Sequence, residues 1–305
     1  MLRIISVFGG LSLLLWSVGV HAEESAASTD ALLKRIAADT AMGKPMVTTV
    51  YVALCDNDSQ GIIPVKNRRI CNGDDPAQNM YWQGNGISGY LKMHGWKRHG
   101  RTRDDNGTVM VEEVWKKRIF AGKKMRQLGA PRSFDAVVVA KAYRGSRIHD
   151  AMKDYLSAIH ADAGEVATTG DGQELNAGGQ SHVVGYIGHD YFMDVAVGSD
   201  RYNELTASRH HRTARLAKGT FAFACISNAW VRPYVSYANI YILAMNNYLT
   251  YPSAWTLGGI VQGIAAGGDG EFIYRQAARQ FANGQKCGLK WALKAFSYGA
   301  HMSYE

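Results

Sequence analysis

Apolar positions along this chain keep two rhythms, one of period near 3.6 and one of short unbroken runs. Residues 29–43 set Leu32, Leu33, Ile36, Ala37 and Thr40 on one side of a helix. Met46 to Leu54 is a β-branched run and predicts a central strand. A long polar loop follows, with Asp56, Asp58, Asn72, Gly73, Asp74, Asp75 and Asn79. That length predicts a functional or binding loop. Tyr81 to Lys92 predicts a helix opened by glycines. Trp96 to Arg103 and Val109 to Phe120 flank Asp104-Asp105-Asn106-Gly107, a tight-turn signal that predicts a β-hairpin. Phe134 to Ala142 predicts a strand, and Gly145 to Ala161 a helix with Ile148, Met152, Leu156 and Ile159 at helical spacing. Ala163 to Gln180 reads as loop.

The second half repeats the alternation. Val183 to Ile187, Thr220 to Ala224 and Asn239 to Met245 are apolar strand-like runs. Ser253 to Ala265 predicts a helix. Gly270 to Phe296 predicts another, broken near Gly284 or Gly288. Strands near residues 47, 134, 183, 220 and 239 alternating with helices predict an α/β fold in one domain. Its sheet is mostly parallel and covered on both faces, with an inserted hairpin at about 96–120.

Composition adds a compartment to this picture. The chain has 305 residues, 47% of them hydrophobic and 20% charged, as in an ordinary globular protein. Arg3, the apolar run Ile4 to Val20, and Val20-His21-Ala22 read as a signal peptide over 1–22, cut before Glu23. The expected domain is then 23–305, periplasmic or secreted, with no stable membrane span after cleavage. The four cysteines are Cys55, Cys71, Cys225 and Cys287. In an oxidising compartment Cys55 and Cys71 are near enough in sequence to bridge, and whether they do is open. The net charge of +8 is concentrated at Lys92, Lys97, Arg98, Arg101, Arg103, Lys116, Lys117, Arg118, Lys123, Lys124 and Arg126. Such a cluster either attracts an anionic surface or is a solvated basic hairpin, the second being preferred. No nucleic-acid motif is present, and no nucleic-acid partner is expected.

Two strand ends carry the chemistry. Val183-Val184-Gly185-Tyr186-Ile187-Gly188-His189-Asp190 stops at an imidazole. Thr220-Phe221-Ala222-Phe223-Ala224-Cys225 stops at a thiol. A parallel sheet sets such ends side by side where ligands bind, and a thiol beside an imidazole is a nucleophile–base pair. The backbone N–H groups of Asp190 and Cys225 are the expected oxyanion donors. Asn246 and Asn247, past the fifth strand, and Asp56 are expected to border the substrate.

Tyr186-Ile187-Gly188-His189 and Phe223-Ala224-Cys225 resemble the two motifs of caspase-like cysteine peptidases, the group of legumains, gingipains, separases and metacaspases. The histidine precedes the cysteine by 36 residues (225 − 189), which suits one strand–helix–strand step. The resemblance covers about residues 46–265. It implies a three-layer α/β/α sandwich and a peptidase that forms an acyl-enzyme on Cys225 with His189 as base and acid. The implied substrate is a peptide or cell-envelope amide. The chain departs from the family at Asp190, where the family keeps glycine. The alternative is a non-catalytic periplasmic binding or immunity-type protein that retains the fold. The Asp56 to Tyr81 segment resembles one seen in uncharacterised exported bacterial proteins.

Other side chains offer weaker readings. Asp56-Asn57-Asp58 after an apolar strand partly matches the Mg²⁺-dependent nucleophile motif of haloacid-dehalogenase-like phosphatases. Asp56, Asp58, Asp74 and Asp75 are a possible Ca²⁺ set, without EF-hand spacing. No cofactor or metal is otherwise expected. Tyr81, Trp82, Trp96, Trp230, Tyr248 and Tyr251 are candidates for a sugar or peptide cleft. His182 and the pair His210-His211 are expected at the surface.

Overall fold

Eight consecutive buried residues, Met46–Ala53, form β1, and the whole molecule is built around that strand. The structure is a computed structural model and describes residues 29–60, 68–194, 205, 213–235, 239–249 and 253–299. The expected signal peptide over 1–22 lies outside the described residues, as do His210, His211 and Tyr251. Helix α1 spans residues 29–41. After β1 come α2 (Ile87–Met93), β2 (Lys97–Arg103), β3 (Val109–Phe120), α3 (Lys123–Gln127), β4 (Ser133–Tyr143) and α4 (Ile148–His160). Strands β5 (Gly164–Thr168), β6 (Glu174–Gly178) and β7 (Val183–Ile187) follow, then α5 (Tyr191–Asp194) and β8 (Lys218–Phe223). The chain continues through α6 (Ser227–Trp230), α7 (Arg232–Val235), β9 (Ile240–Asn246), α8 (Trp255–Ala266), α9 (Gly270–Gln285), α10 (Leu289–Ala295) and β10 (Phe296–Ser297).

The main sheet has eight strands in the order β10-β9-β8-β7-β1-β4-β3-β2. Strands β9, β8, β7, β1 and β4 are parallel, while β3, β2 and β10 are antiparallel to their neighbours. The α/β class and mostly parallel sheet expected from the sequence are therefore present. The hairpin of β2 and β3 extends the sheet through β4 rather than standing apart from it.

Side-chain alternation sorts each strand between two cores. Val50 and Val52 of β1, Phe221 and Phe223 of β8, and Ala136 and Val138 of β4 face one core. That core is closed by α1 through Leu32 and Ile36, by α8 through Leu257 and Ile260, and by α9 through Ile273 and Phe281. Tyr51 of β1, Tyr186 of β7 and Ala222 of β8 face the other, against Ile148, Met152, Tyr155, Leu156 and Ile159 of α4. Burying each large apolar side chain is worth about 1.5–3 kcal/mol, so both layers hold the sheet. A smaller cluster joins Val47, Val137 and Val139 to Ala167, Leu175 and Ala177 of the β5–β6 hairpin.

Several local expectations change. Residues 163–180 hold the paired strands β5 and β6, not a plain loop. Helix α2 begins at Ile87, because Asn79 to Gly86 is a chain of turns closed by backbone bonds such as Gln83 N–H to Asn79 C=O at 2.8 Å. The last helical stretch breaks into α9 and α10 around Lys286, which has φ +52°. Among the described residues no helix is long and apolar enough to cross a membrane.

Candidate active site

Strand order reverses at β1: β4 lies on one side of it and β7 on the other. In a parallel sheet the carboxyl ends of two such strands open a crevice that ligands use. The side chains gathered at this reversal are Cys55 just beyond β1, His189 just beyond β7, and Tyr81 from the long loop. Tyr81 Oη lies 3.2 Å and Cys55 Sγ 3.7 Å from His189 Nε2.

The backbone sets His189 and Cys225 in phase. Ile187 of β7 is opposite Phe223 of β8, and the Gly188 N–H donates to the Phe223 carbonyl at 3.3 Å. His189 and Cys225 are each two residues beyond that last pair, on adjacent chains spaced about 4.8 Å apart. Gly188 is required here for space. The Tyr186 hydroxyl curls back to donate to the His189 carbonyl at 2.9 Å, and a Cβ on Gly188 would stand 2.8 Å from the Tyr186 hydroxyl oxygen.

Cys225 is partly exposed and outside any disulfide. It leads into a sharp strand-to-helix turn at Ile226, whose φ is +51°. A β-branched residue rarely occupies that region, so surrounding bonds must hold it there. The Ile226 N–H donates to the Tyr248 carbonyl at 3.2 Å. The Ser227 hydroxyl donates to the Ala222 carbonyl at 2.7 Å and accepts the Asn246 N–H at 2.9 Å. The turn is thus stapled to β8 and β9 behind the thiol.

A third polar group joins the pair, and the sequence reading missed it. Asp194 Oδ2 lies 3.7 Å from His189 Nδ1, beyond hydrogen-bond distance but within ion-pair range. Asp190 makes this possible. One of its carboxylate oxygens accepts the N–H groups of Phe192 and Met193 at 3.0 and 3.2 Å, an N-cap for α5. The Asp194 N–H donates to the Asp190 carbonyl at 2.8 Å. The one-turn helix α5 so returns Asp194 to the imidazole. His149 Nδ1, 3.0 Å from the Tyr191 hydroxyl, ties α5 to α4. A His-Asp-x-x-x-Asp spacing, with the first Asp as a cap, is the signal that sequence reading could have used.

Burial dominates the electrostatics. It pushes the His189 imidazole below its usual range and the Asp194 carboxyl above its own. Both shifts oppose charge separation, so at neutral pH the imidazole stays uncharged and able to take a proton. Burial also raises Asp190 to about 7, the neighbouring Asp194 charge adding to the rise while the two N–H donors oppose it. Its Oδ2 is buried without a hydrogen-bond partner. The Asp190 side chain is thus buried in the protein. The Asp190 N–H, expected at an oxyanion, lies near the Asp194 carboxylate and offsets part of the rise that burial causes there.

The remaining candidates fall in different places. Cys55 and Cys71 are joined in a disulfide, resolving the pairing that the sequence left open. Asp56 caps its own loop, accepting the Asp58 N–H at 3.3 Å and the Ser59 hydroxyl. Asp74 pairs with Arg144, and Asp75 accepts the Ala77 N–H. Asn246 is buried within β9, and Asn247 holds the last strand by bonding the Lys294 carbonyl and the Ser297 hydroxyl. The expected surface position of His182 is overturned: it is 4% exposed, with both ring nitrogens engaged. Among the cleft aromatics Tyr81, Trp82 and Trp96 are buried, while Trp230 and Tyr248 are exposed beside the Cys225 turn. Much of the basic cluster is paired within the fold: Arg98 and Arg101 with Glu113, Lys116 and Arg118 with Asp135, and Lys124 with Asp30.

Neither a protein-family model, nor a curated protein, nor a solved structure matches this chain.

Proposed function

We propose that this chain is an exported cysteine hydrolase of caspase-like architecture, acting on an amide bond of a peptide or cell-envelope substrate. The supporting observation is the in-phase placement of His189 and Cys225 on β7 and β8, next to the strand-order reversal. In this reading His189 takes the Cys225 proton, and the thiolate attacks the substrate carbonyl. The tetrahedral species collapses as His189 returns that proton to the leaving amine. Water, deprotonated by His189, then cleaves the thioester and frees the carboxylate and the Cys225 thiol. Asp194 holds the imidazole in register and faces its charge while the proton is there. The Cys225 N–H is one oxyanion donor. The Asp190 N–H is the second.

The Asp194 carboxylate, close enough to Asp190 to raise its pKa, opposes a negative oxyanion at the Asp190 N–H and favours a second reading, a non-catalytic exported binding protein that keeps the fold. Alkylation separates the two. Folded protein treated with iodoacetamide at neutral pH should be modified at Cys225 well before Cys287, with the rate lost in His189→Ala. A Cys225 thiol no more reactive than Cys287 leaves only the binding reading.

A further inference from the structure

The reversal of strand order brings a second set of ligand atoms to His189. Cys55 Sγ, Cys71 Sγ and a His189 ring nitrogen all lie within 4.8 Å of one another. Two thiolates and an imidazole are a soft donor set of the kind that holds Zn²⁺ tetrahedrally. With Zn–S near 2.3 Å and Zn–N near 2.0 Å, a tetrahedral S···N edge is about 3.5 Å. The Cys55 Sγ to His189 Nε2 distance is 3.7 Å.

We propose that reduction of the Cys55–Cys71 disulfide converts this corner into a Zn²⁺ site with Cys55, Cys71 and His189 as ligands and one position open. Two electrons and two protons pass from a dithiol reductant to the disulfide, and the reductant leaves as its own disulfide. Metal binding then releases both thiol protons, and the two thiolates balance the charge of the ion.

Three features prepare the corner. The Asn79 side chain fixes Cys55 at both backbone ends, accepting its N–H at 3.1 Å and donating to its carbonyl at 2.8 Å. The Tyr186 hydroxyl fixes the His189 carbonyl. Asp194 lies on the far ring nitrogen, Nδ1, where metal-bound histidines commonly find a carboxylate. Cys71 is flanked by the Met80 N–H to Ile70 carbonyl bond at 2.8 Å and the Asn79 amide to Asn72 carbonyl bond at 2.9 Å, so when the sulfur–sulfur bond opens its Sγ needs to recede only from about 2 Å to about 3.8 Å.

The consequence for Cys225 rests on the catalytic reading: Zn²⁺ on Nε2 withdraws the base, so reduced, loaded protein is silent and oxidised protein is competent. Metal binding itself does not rest on it. The first test uses Cys225→Ser/Cys287→Ser full-length protein, in which Cys55 and Cys71 are the remaining thiols. It is reduced with a phosphine, desalted without oxygen, and titrated with Zn²⁺ against a chromogenic chelator. One equivalent should bind to reduced protein and none to oxidised protein. Cys71→Ser should abolish binding, and His189→Ala should weaken it at least tenfold. Co²⁺ in the same protein should show thiolate charge-transfer bands and tetrahedral ligand-field bands.

No Zn²⁺ uptake by reduced protein, undiminished uptake in His189→Ala, or loss of the near-ultraviolet circular dichroism on reduction overturns the site. A separate arm labels reduced wild-type protein with iodoacetamide. Zn²⁺ should slow Cys225 modification at least tenfold. If Zn²⁺ binds with one-to-one stoichiometry but leaves that rate unchanged, the site stands and the base role of His189 fails.

Discussion

Strand β7 enters at one histidine and leaves at another, and the two do opposite things. His182 precedes the strand. Its Nδ1 accepts the Val47 N–H at 3.0 Å and its Nε2 donates to Asp39 at 3.1 Å. Around it Arg35 donates to the carbonyls of Gln180, Ser181 and Ala217. Every polar direction of that ring is committed, and its tautomer is fixed. His189 follows the strand with a side chain 19% exposed and its acid partner at 3.7 Å. Tyr81 and Cys55 face its Nε2 loosely. A carboxylate near a buried histidine therefore marks nothing by itself. What separates the two is whether a ring nitrogen remains available for something that arrives later.

The sharpest way to break this comparison is to delete each ring. His189→Ala should cut the rate of Cys225 alkylation by about 10²-fold or more and leave urea unfolding within about 1 kcal/mol of wild type. His182→Ala should do the reverse, costing about 3 kcal/mol by stranding the buried Val47 N–H and Asp39 while leaving alkylation near normal. If His182→Ala abolished alkylation in folded protein, the contrast would fall.

A smaller effect is expected at Asp194. Asp194→Asn should slow alkylation about tenfold and move the pH profile of the rate, because the imidazole loses the group that faces its charge. A uniform loss with no shift in profile would make Asp194 merely structural.

Asp190 gives a stability prediction with a definite sign. Its folded pKa is raised to about 7, above the ordinary value near 4. That contribution is fully present below about pH 4 and is lost as pH rises through 7. Asp190→Asn keeps the cap acceptor and removes the titration. It should raise the unfolding free energy at pH 8 by about 4 kcal/mol and change it little at pH 4. The histidines act oppositely. Burial lowers both folded pKa values, so their contribution is full above about pH 6.5 and is lost as pH falls from there. The smallest expected change is Tyr81→Phe, a few-fold in alkylation rate with stability unchanged within about 1 kcal/mol.

The long apolar runs were legible because they are long. Met46–Ala53 and Ser133–Tyr143 are buried over nearly their whole length, and continuous burial writes itself as continuous hydrophobicity. The β5–β6 pair was not legible. Only Ala167, Leu175 and Ala177 touch its core, and small residues among Gly, Glu and Asn give no period. The two residues of β10 are too few for any pattern. At the site, the strand-end positions of His189 and Cys225 could be read, since a strand end is a local feature. Asp194 was legible only as the His-Asp-x-x-x-Asp spacing; that it reaches the imidazole depends on the four-residue helix α5 and its Asp190 cap. The Cys55–Cys71 pairing depended on how the Asp56 to Tyr81 loop folds over β1. That loop is pinned by side-chain amides, Gln60 and Asn79, bonding to its backbone and the strand end.

The two rims of the main sheet have a bearing on how the molecule behaves in a crowd. At one rim the antiparallel strand β10 pairs over two residues only, too short to template another chain. At the other, β2 carries Lys97, Arg98, Arg101 and Arg103, and the Gly170 N–H bonds the His99 carbonyl across its outer side. A neighbouring molecule approaching that rim meets like charge and a partly occupied ladder. The basic hairpin then serves as a guard against self-association. Neutralising Lys97 and Arg103, which leaves the buried Glu113 its partners Arg98 and Arg101, should bring aggregation in warm, concentrated solution while leaving Cys225 alkylation unchanged.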